Sequence, residues 1–408
     1  MVIGVIGGGA SGMAAALAAA ENTQAQVLLF ERQARVGRKL QATGNGRCNL
    51  SNIHALERGY HGDDPDFSNS ALQSFSPSQT LDWFRGLGLV TVTEDSGRVY
   101  PYSDQANSVV DVLRFSLDKP NIRLLTGCEV RRVRRVDGIF RVETADESYI
   151  CDKVIIACGG LAGTKLGGSM AGYQLLRGMG HKMTKLRPAL VQIKSSWPGI
   201  TALKGVRANC TASILRDGMV TTVSTGEIQF TEYGLSGPVI FEVSRDVCQG
   251  SGEWICRLDF MPEWRENELF DHLSRRKGSG LLSEELLTGV LHNRLGRVLV
   301  QSAGIRGQTP IAELTDEQLR AVCESVKAFV VGLKEPMGMD SAQVTAGGAV
   351  TEEFNSATME SKRIPGLYAC GEVLDVDGDC GGYNLQWAWS SGRCAGRSAG
   401  GIYNDSDT

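Results

Sequence analysis

Residues 2–31 constrain the fold more than any other stretch of the chain. Val2-Ile3-Gly4-Val5-Ile6 suits a short buried strand, Gly7-Gly8-Gly9-Ala10-Ser11-Gly12 follows at once, and residues 13–20 form an alanine-rich run of helical character. A second apolar run, Val27-Leu28-Leu29-Phe30, ends on Glu31 and Arg32. GxGxxG alone is a weak signal, but between a strand and a helix each glycine has a task. Gly7 makes the tight turn, Gly9 lets the backbone approach a pyrophosphate, and Gly12 lets the helix pack on the strand, with Ala10 and Ser11 in the first helical turn. A carboxylate placed as Glu31 is can accept both hydroxyls of an adenosine ribose. The order strand, glycines, helix, strand, acid predicts a dinucleotide-binding α/β domain.

Several features favour FAD over NAD as the resident dinucleotide. The fingerprint lies at the beginning of the sequence and no second complete one follows. Residues 130–150, from Val130, alternate in polarity between turn signals, as does the small β-meander of many FAD proteins. They lead into Val154-Ile155-Ile156-Ala157-Cys158-Gly159-Gly160, a buried-strand pattern stopping on glycines, which predicts return to the parallel sheet. Near the other end, Gly366-Leu-Tyr-Ala-Cys-Gly371-Glu372 predicts a strand that delivers a carboxylate. Gly382-Tyr383-Asn384-Leu385 then opens a helix whose unpaired N–H groups suit an electron-rich ring edge.

Between these halves the texture changes. Residues 189–262 and 326–339 alternate as antiparallel strands do, and residues 263–325 have helical periodicity with start signals at Ser283 and Thr315. The expected architecture is therefore a Rossmann-like, glutathione-reductase-like FAD-binding domain, residues 1–188 and 340–408, interrupted by a β-rich domain carrying a helical cap insert. A chain of 408 residues is long enough for such a division.

Composition excludes other classes. Eleven cysteines are scattered and never spaced CxxC, and five histidines do not pair at ligand spacing, so neither a disulfide scaffold nor a metal site is expected. A net charge of -4 gives no general attraction for nucleic acid. The longest apolar run is too short to span a bilayer and follows a glycine turn rather than a basic segment, so no membrane association and a cytoplasmic location are expected.

The loop Gly37-Arg38-Lys39-Leu-Gln-Ala-Thr43-Gly44-Asn45-Gly46-Arg47-Cys48-Asn49-Leu-Ser-Asn52 is dense in donors and costly to order unless it grips a ligand. Here the chain resembles the bacterial flavoproteins of the BaiN/RdsA family, also called YhiN-like or aminoacetone-oxidase-like. The resemblance runs on through Gly97-Arg-Val-Tyr-Pro-Tyr102-Ser103, Gly226-Glu-Ile-Gln-Phe230-Thr231-Glu232-Tyr-Gly234 and Ala342-Gln-Val-Thr345 into GLYACGEVLDVDGDCGGYNLQWAWSSG. It implies non-covalent FAD, NAD(P)H as a transient electron donor, and a cap of β and helical domains over the flavin. The activities it implies differ: reduction of activated C=C bonds in small molecules, reduction of a ribosomal RNA uridine, and oxidation of aminoacetone. Where the family has His, this chain has Glu232.

Reduction of a polarised alkene needs hydride on one carbon and a proton on its neighbour. Cys48 is the first candidate for the proton donor, with Tyr102 and Glu232 behind it. Arg47 and Lys39 are placed to polarise a carbonyl or hold phosphate. A disulfide relay is excluded, because Cys48 has no nearby partner cysteine. An oxidase and a non-catalytic flavin-dependent RNA-binding factor remain as alternatives.

Overall fold

The computed structural model describes residues 1–250 and 252–402. The chain divides into two compact units, Met1–Arg187 with Gln343–Thr408, and Pro188–Ala342.

In the first unit five parallel strands form one sheet: β1 (Val2–Ile6), β2 (Gln26–Glu31), β3 (Ile122–Thr126), β4 (Lys153–Ile156) and β5 (Leu367–Ala369), in the order β5-β4-β1-β2-β3. Ile3, Val5, Val27, Leu29 and Ile155 are wholly buried, as expected for strands covered on both faces. The chain enters β4 through a three-stranded antiparallel meander, Arg132–Val136, Ile139–Glu143 and Ser148–Cys151. Two helices lie against each other behind the sheet: α1 (Ala10–Ala19) and the long C-terminal α2 (Tyr383–Gly400). They approach backbone to backbone. A methyl on Gly392 would lie 2.4 Å from the Ser11 carbonyl oxygen, and one on Gly396 would lie 2.2 Å from that of Ala15. The alanines of α1 and the spaced glycines of α2 are therefore one requirement, small residues at a close helix crossing.

A buried imidazole ties the strand β5 region to the segment before it. His181 stacks on Phe354 at 4.6 Å, with Nδ1 2.8 Å from Glu353 and Nε2 3.1 Å from the Ser361 hydroxyl. Burial holds the imidazole below the usual histidine range, although Glu353 works the other way. A depressed histidine binds fewer protons folded than unfolded, so its contribution is complete above the ordinary histidine pKa of about 6.5 and is lost as pH falls below it. The melting temperature of the wild type should drop between about pH 7 and pH 5.5, and the slope should be shallower in His181→Gln; equal slopes would show that this histidine does not set the acid limit.

The second unit is a closed six-stranded barrel, formed in order by Ile193–Ser195, Gly234–Ser236, Met219–Phe230, Arg207–Arg216, Trp254–Asp259 and Phe329–Pro336. Cys210, Ala212 and Ile214 alternate into its wholly buried interior with Ile228, Phe230 and Leu258. Helices Glu266–Ser274, Asn293–Ser302 and Asp316–Lys327 fill the excursion between its last two strands, and their buried leucines and valines join the same core. Among the described residues no helix is long and apolar enough to cross a membrane.

Candidate active site

The glycine turn after β1 is built by close approach. Gly7 donates to Phe30 O at 2.8 Å, and a methyl on Gly12 would lie only 1.7 Å from Gly7 O. A methyl on Gly9, in contrast, would meet nothing within 4 Å. Gly9 caps α1 without a side-chain acceptor, and the first intrahelical bond runs from Met13 N, so the N–H groups of Ala10, Ser11 and Gly12 have no helical partner. An open space above uncapped N–H groups at the positive end of a ten-residue helix is a cradle for phosphate oxygens. Beside it, Glu31 accepts from Gly8 N at 2.8 Å and Gln33 N at 2.7 Å, which fixes the carboxylate while leaving it further acceptor capacity. Arg32 reaches Gly167 O, and Arg38 reaches the Gln33 side chain at the surface.

The second helix start, that of α2, is also uncapped by a side chain. Gly382 holds φ +103°, and a methyl there would lie 2.2 Å from Ser51 O and 2.9 Å from Asn49 Oδ1, so only glycine lets the 43–52 loop touch the helix start. Tyr383, Asn384 and Leu385 form the first turn, and Gln386 N returns to Gly382 O at 3.0 Å. Asn384 spends its amide on Gly378. The loop is pinned from behind: Trp389 Nε1 donates to Leu50 O at 2.9 Å, Ser51 Oγ donates to Gln386 at 2.6 Å, and Asn52 Nδ2 donates to Gly381 O at 2.9 Å. Gln386 is fully buried and completes its bonding on Phe75 O, Thr80 and Ser390. One buried acceptor of this loop, Asn49 Oδ1, has no hydrogen-bond partner among the described residues, although it lies beside the α2 start.

Lys39 and Glu372 form a third element. Their side chains meet at 2.8 Å, the other Glu372 oxygen accepts from Thr345 N at 2.8 Å, and Gly160 passes so close that a methyl on it would lie 2.4 Å from that oxygen. Gly371 N donates to Ser391 Oγ on α2, and Cys158 donates through Sγ to Ile6 O, with Gly159 next to it at φ +69°. Val130 is buried at the foot of the meander.

The candidate proton donors have different surroundings. Cys48 is wholly buried in a left-handed backbone conformation, φ +63°, and burial pushes its thiol up to about 12, with Thr43 pulling weakly the other way. Such a thiol is neither a ready thiolate nor a matched acid near neutral pH. It follows Gly44, Asn45 and Gly46, all left-handed. Arg47 lies over Tyr100 at 4.0 Å and pairs with Asp104 and Glu94, so its charge is committed to these neighbours. Tyr102 is 74% exposed. Glu232 belongs to the second unit, where it is exposed and hydrogen-bonded to Lys204, which pulls its carboxyl below the usual range.

Sequence reasoning missed Thr345, whose N–H holds Glu372 while its hydroxyl accepts from Ala162 N at 2.8 Å. It also missed His61, which lies 2.6 Å from Asp379. Thr345 lies in a motif already singled out, whereas nothing in the sequence pairs residue 61 with residue 379. Among the described residues no cluster of His, Cys, Asp and Glu could hold a metal ion.

The parallel sheet, the glycine cradle at α1 and the acid ending β2 define a dinucleotide-binding unit of Rossmann type. The chain belongs to the HI0933-like protein Rossmann domain family, which matches residues 1–398. It is 39% identical to the 3-dehydro-bile acid delta(4,6)-reductase of Clostridium scindens over 97% of this chain and 98% of that protein. It is 30% identical to the ribosomal RNA dihydrouridine synthase of Escherichia coli over 95% of each. A solved structure of similar fold is the 3-ketosteroid delta1-dehydrogenase of Sterolibacterium denitrificans in complex with 1,4-androstadiene-3,17-dione. That match has TM-score 0.50 and 11% identity, covering 98% of this chain and 99% of that one.

Proposed function

We propose that the protein binds FAD without a covalent bond and reduces a C=C bond conjugated to a carbonyl, with NAD(P)H as electron donor. The observation that carries this reading is the pair of uncapped helix starts on α1 and α2, two helices of one unit packed at glycine-close range, in a chain 39% identical to a reductase of conjugated double bonds. The residues present fit the cofactor. The open space at Gly9 and the free N–H groups of Ala10, Ser11 and Gly12 suit the pyrophosphate, and Glu31 suits the adenosine ribose. Lys39, Glu372 and Gly160 suit the polyol and phosphate portion. The orphaned Asn49 Oδ1 and the start of α2 suit the polar end of the ring, where a donor to Asn49 and partial positive charge are both supplied. When bound, flavin supplies a two-electron carrier that passes hydride through N5.

A single bond type unites the names of the relatives. The 4,6-diene of a 3-oxo steroid and the 5,6 double bond of uridine are each conjugated to a carbonyl, so in both the alkene next to that carbonyl can be reduced by hydride at its β position and a proton at its α position. Ribosomal RNA uridine is therefore the second substrate reading, supported by a 30% identical relative over nearly the whole chain. Purified protein should be yellow, should bleach anaerobically with NADPH or NADH, and should regain colour on adding 4-androstene-3,17-dione or transcribed ribosomal RNA. Bleaching without reoxidation by either, but with rapid reoxidation by air, would replace this reading with an oxidase.

A further inference from the structure

The geometry points to His61, oriented by Asp379, as the group that delivers the proton in this reaction. The proposal rests on the C=C-reductase reading above, which leaves the donor to be found. Cys48 is buried with its thiol at about 12, Tyr102 is 74% exposed, and Glu232 is an exposed partner of Lys204.

His61 has the surroundings these lack. It lies in a two-residue strand, Tyr60–His61, paired antiparallel with Asp377–Gly378, five residues before α2 begins. Its Nε2 is 2.6 Å from Asp379 Oδ1, and among the described residues no protein group bonds Nδ1. A carboxylate on one nitrogen fixes the ring's orientation, while the other nitrogen is left to exchange a proton; orienters of this kind serve histidine acids and bases generally. The ring is 37% exposed, so water can reprotonate it.

The mounting is stiff. Tyr60 packs edge-on against Tyr383, the first residue of α2, and its hydroxyl donates to Tyr383 O at 3.2 Å. Asp379 N donates to Gly59 O at 2.8 Å, and a methyl on Gly59 would lie 2.7 Å from the Tyr383 ring. Asn384, in the first turn of α2, holds Gly378 from both sides of its peptide. The dyad is thus fastened to the helix start assigned above to the polar end of the flavin.

In the step proposed, the bound flavin would supply the hydride, whose two electrons come from a nicotinamide dinucleotide; as that hydride adds at the β carbon the C=C π bond breaks. The electron pair released at the α carbon takes the proton from imidazolium Nδ1, leaving neutral imidazole that water reprotonates. Two C–H bonds form, and the nicotinamide is the species oxidised.

The test uses FAD-loaded full-length protein reduced with dithionite, so that it does not depend on the choice of nicotinamide. Reoxidation by 4-androstene-3,17-dione should slow about 100-fold or more in His61→Gln, the range that positioned acids supply, with FAD occupancy unchanged. His61→Ala should behave likewise and regain rate with millimolar imidazole, which a structural role would not allow. In the oxidised wild type, the steroid should shift the nitrogen signal of His61 Nδ1, a readout that needs no turnover. Asp379→Asn should lose about 10-fold, and Asp379→Glu should recover part of it. An unaltered rate in His61→Gln, no rescue by imidazole, or an unmoved His61 signal overturns the proposal. A wild type that is not reoxidised by the steroid, yet shows the shifted signal, refutes the substrate reading and leaves the location of His61 standing.

Discussion

Gly12→Ala is expected to yield a protein recovered without flavin and with a strongly lowered unfolding midpoint. Its new methyl would lie 1.7 Å from Gly7 O and 3.3 Å from the Ala157 side chain, and two backbones cannot both yield without moving α1 off the sheet. Overpacking against flexible side chains costs about 1–3 kcal/mol, and a clash with fixed backbone exceeds that, so a loss above about 3 kcal/mol is expected. Gly9→Ala is the matched control. Its methyl meets no protein atom within 4 Å, so the variant should fold normally and lose only FAD affinity, because the methyl occupies the space assigned to the pyrophosphate. Absorbance at the flavin band per mole of protein, together with urea midpoints for the apo forms, separates the two. Full FAD occupancy in Gly9→Ala would remove the pyrophosphate from that space.

Trp389→Ala comes second in size. Trp389 is wholly buried, packs edge-on against Phe84 at 5.2 Å, and donates to Leu50 O. Emptying a site of that volume costs about 3–5 kcal/mol. The loss should also reach the cofactor, since Leu50 follows Asn49, whose side-chain oxygen lies beside the α2 start. Trp389→Phe separates the effects: most of the packing remains, the indole donor is lost, and about 1–3 kcal/mol should go with it. Fluorescence titration of the apo variant with FAD then reports whether holding Leu50 matters to the ligand; affinity equal to wild type would show that it does not.

The architecture was largely readable in the sequence because its signals are local. Residues 2–31 announce strand, turn, helix, strand and acid within one βαβ unit, and the alternation of residues 189–262 announces antiparallel strands, among them the hairpin Arg207–Arg216 with Met219–Phe230. Closure of the barrel was not readable. It depends on Ile193–Ser195 meeting Phe329–Pro336, partners more than a hundred residues apart that carry no mark of each other. The site divides in the same way. Glycine spacing points to the two helix starts, whereas the Glu372 contact with Thr345, the burial of Cys48 and the pairing of His61 with Asp379 arise only when distant segments fold together. Residue type leaves the environment unread: a cysteine in a donor-rich loop reads as reactive chemistry, and its desolvation is a property of the folded loop alone.

The close crossing of α1 and α2 has a consequence for how the polypeptide leaves the ribosome. Residues 10–19 and 383–400 bury one another, and β4 must wait for β5 as its neighbour, so the first unit stays incomplete until residues 383–400 have been translated. Pro188–Ala342, by contrast, is continuous in sequence and closes its barrel with strands already synthesised. Since domains fold as units while translation proceeds, the interrupting unit is expected to mature first, leaving α1, rich in buried alanine, without its partner until α2 is made.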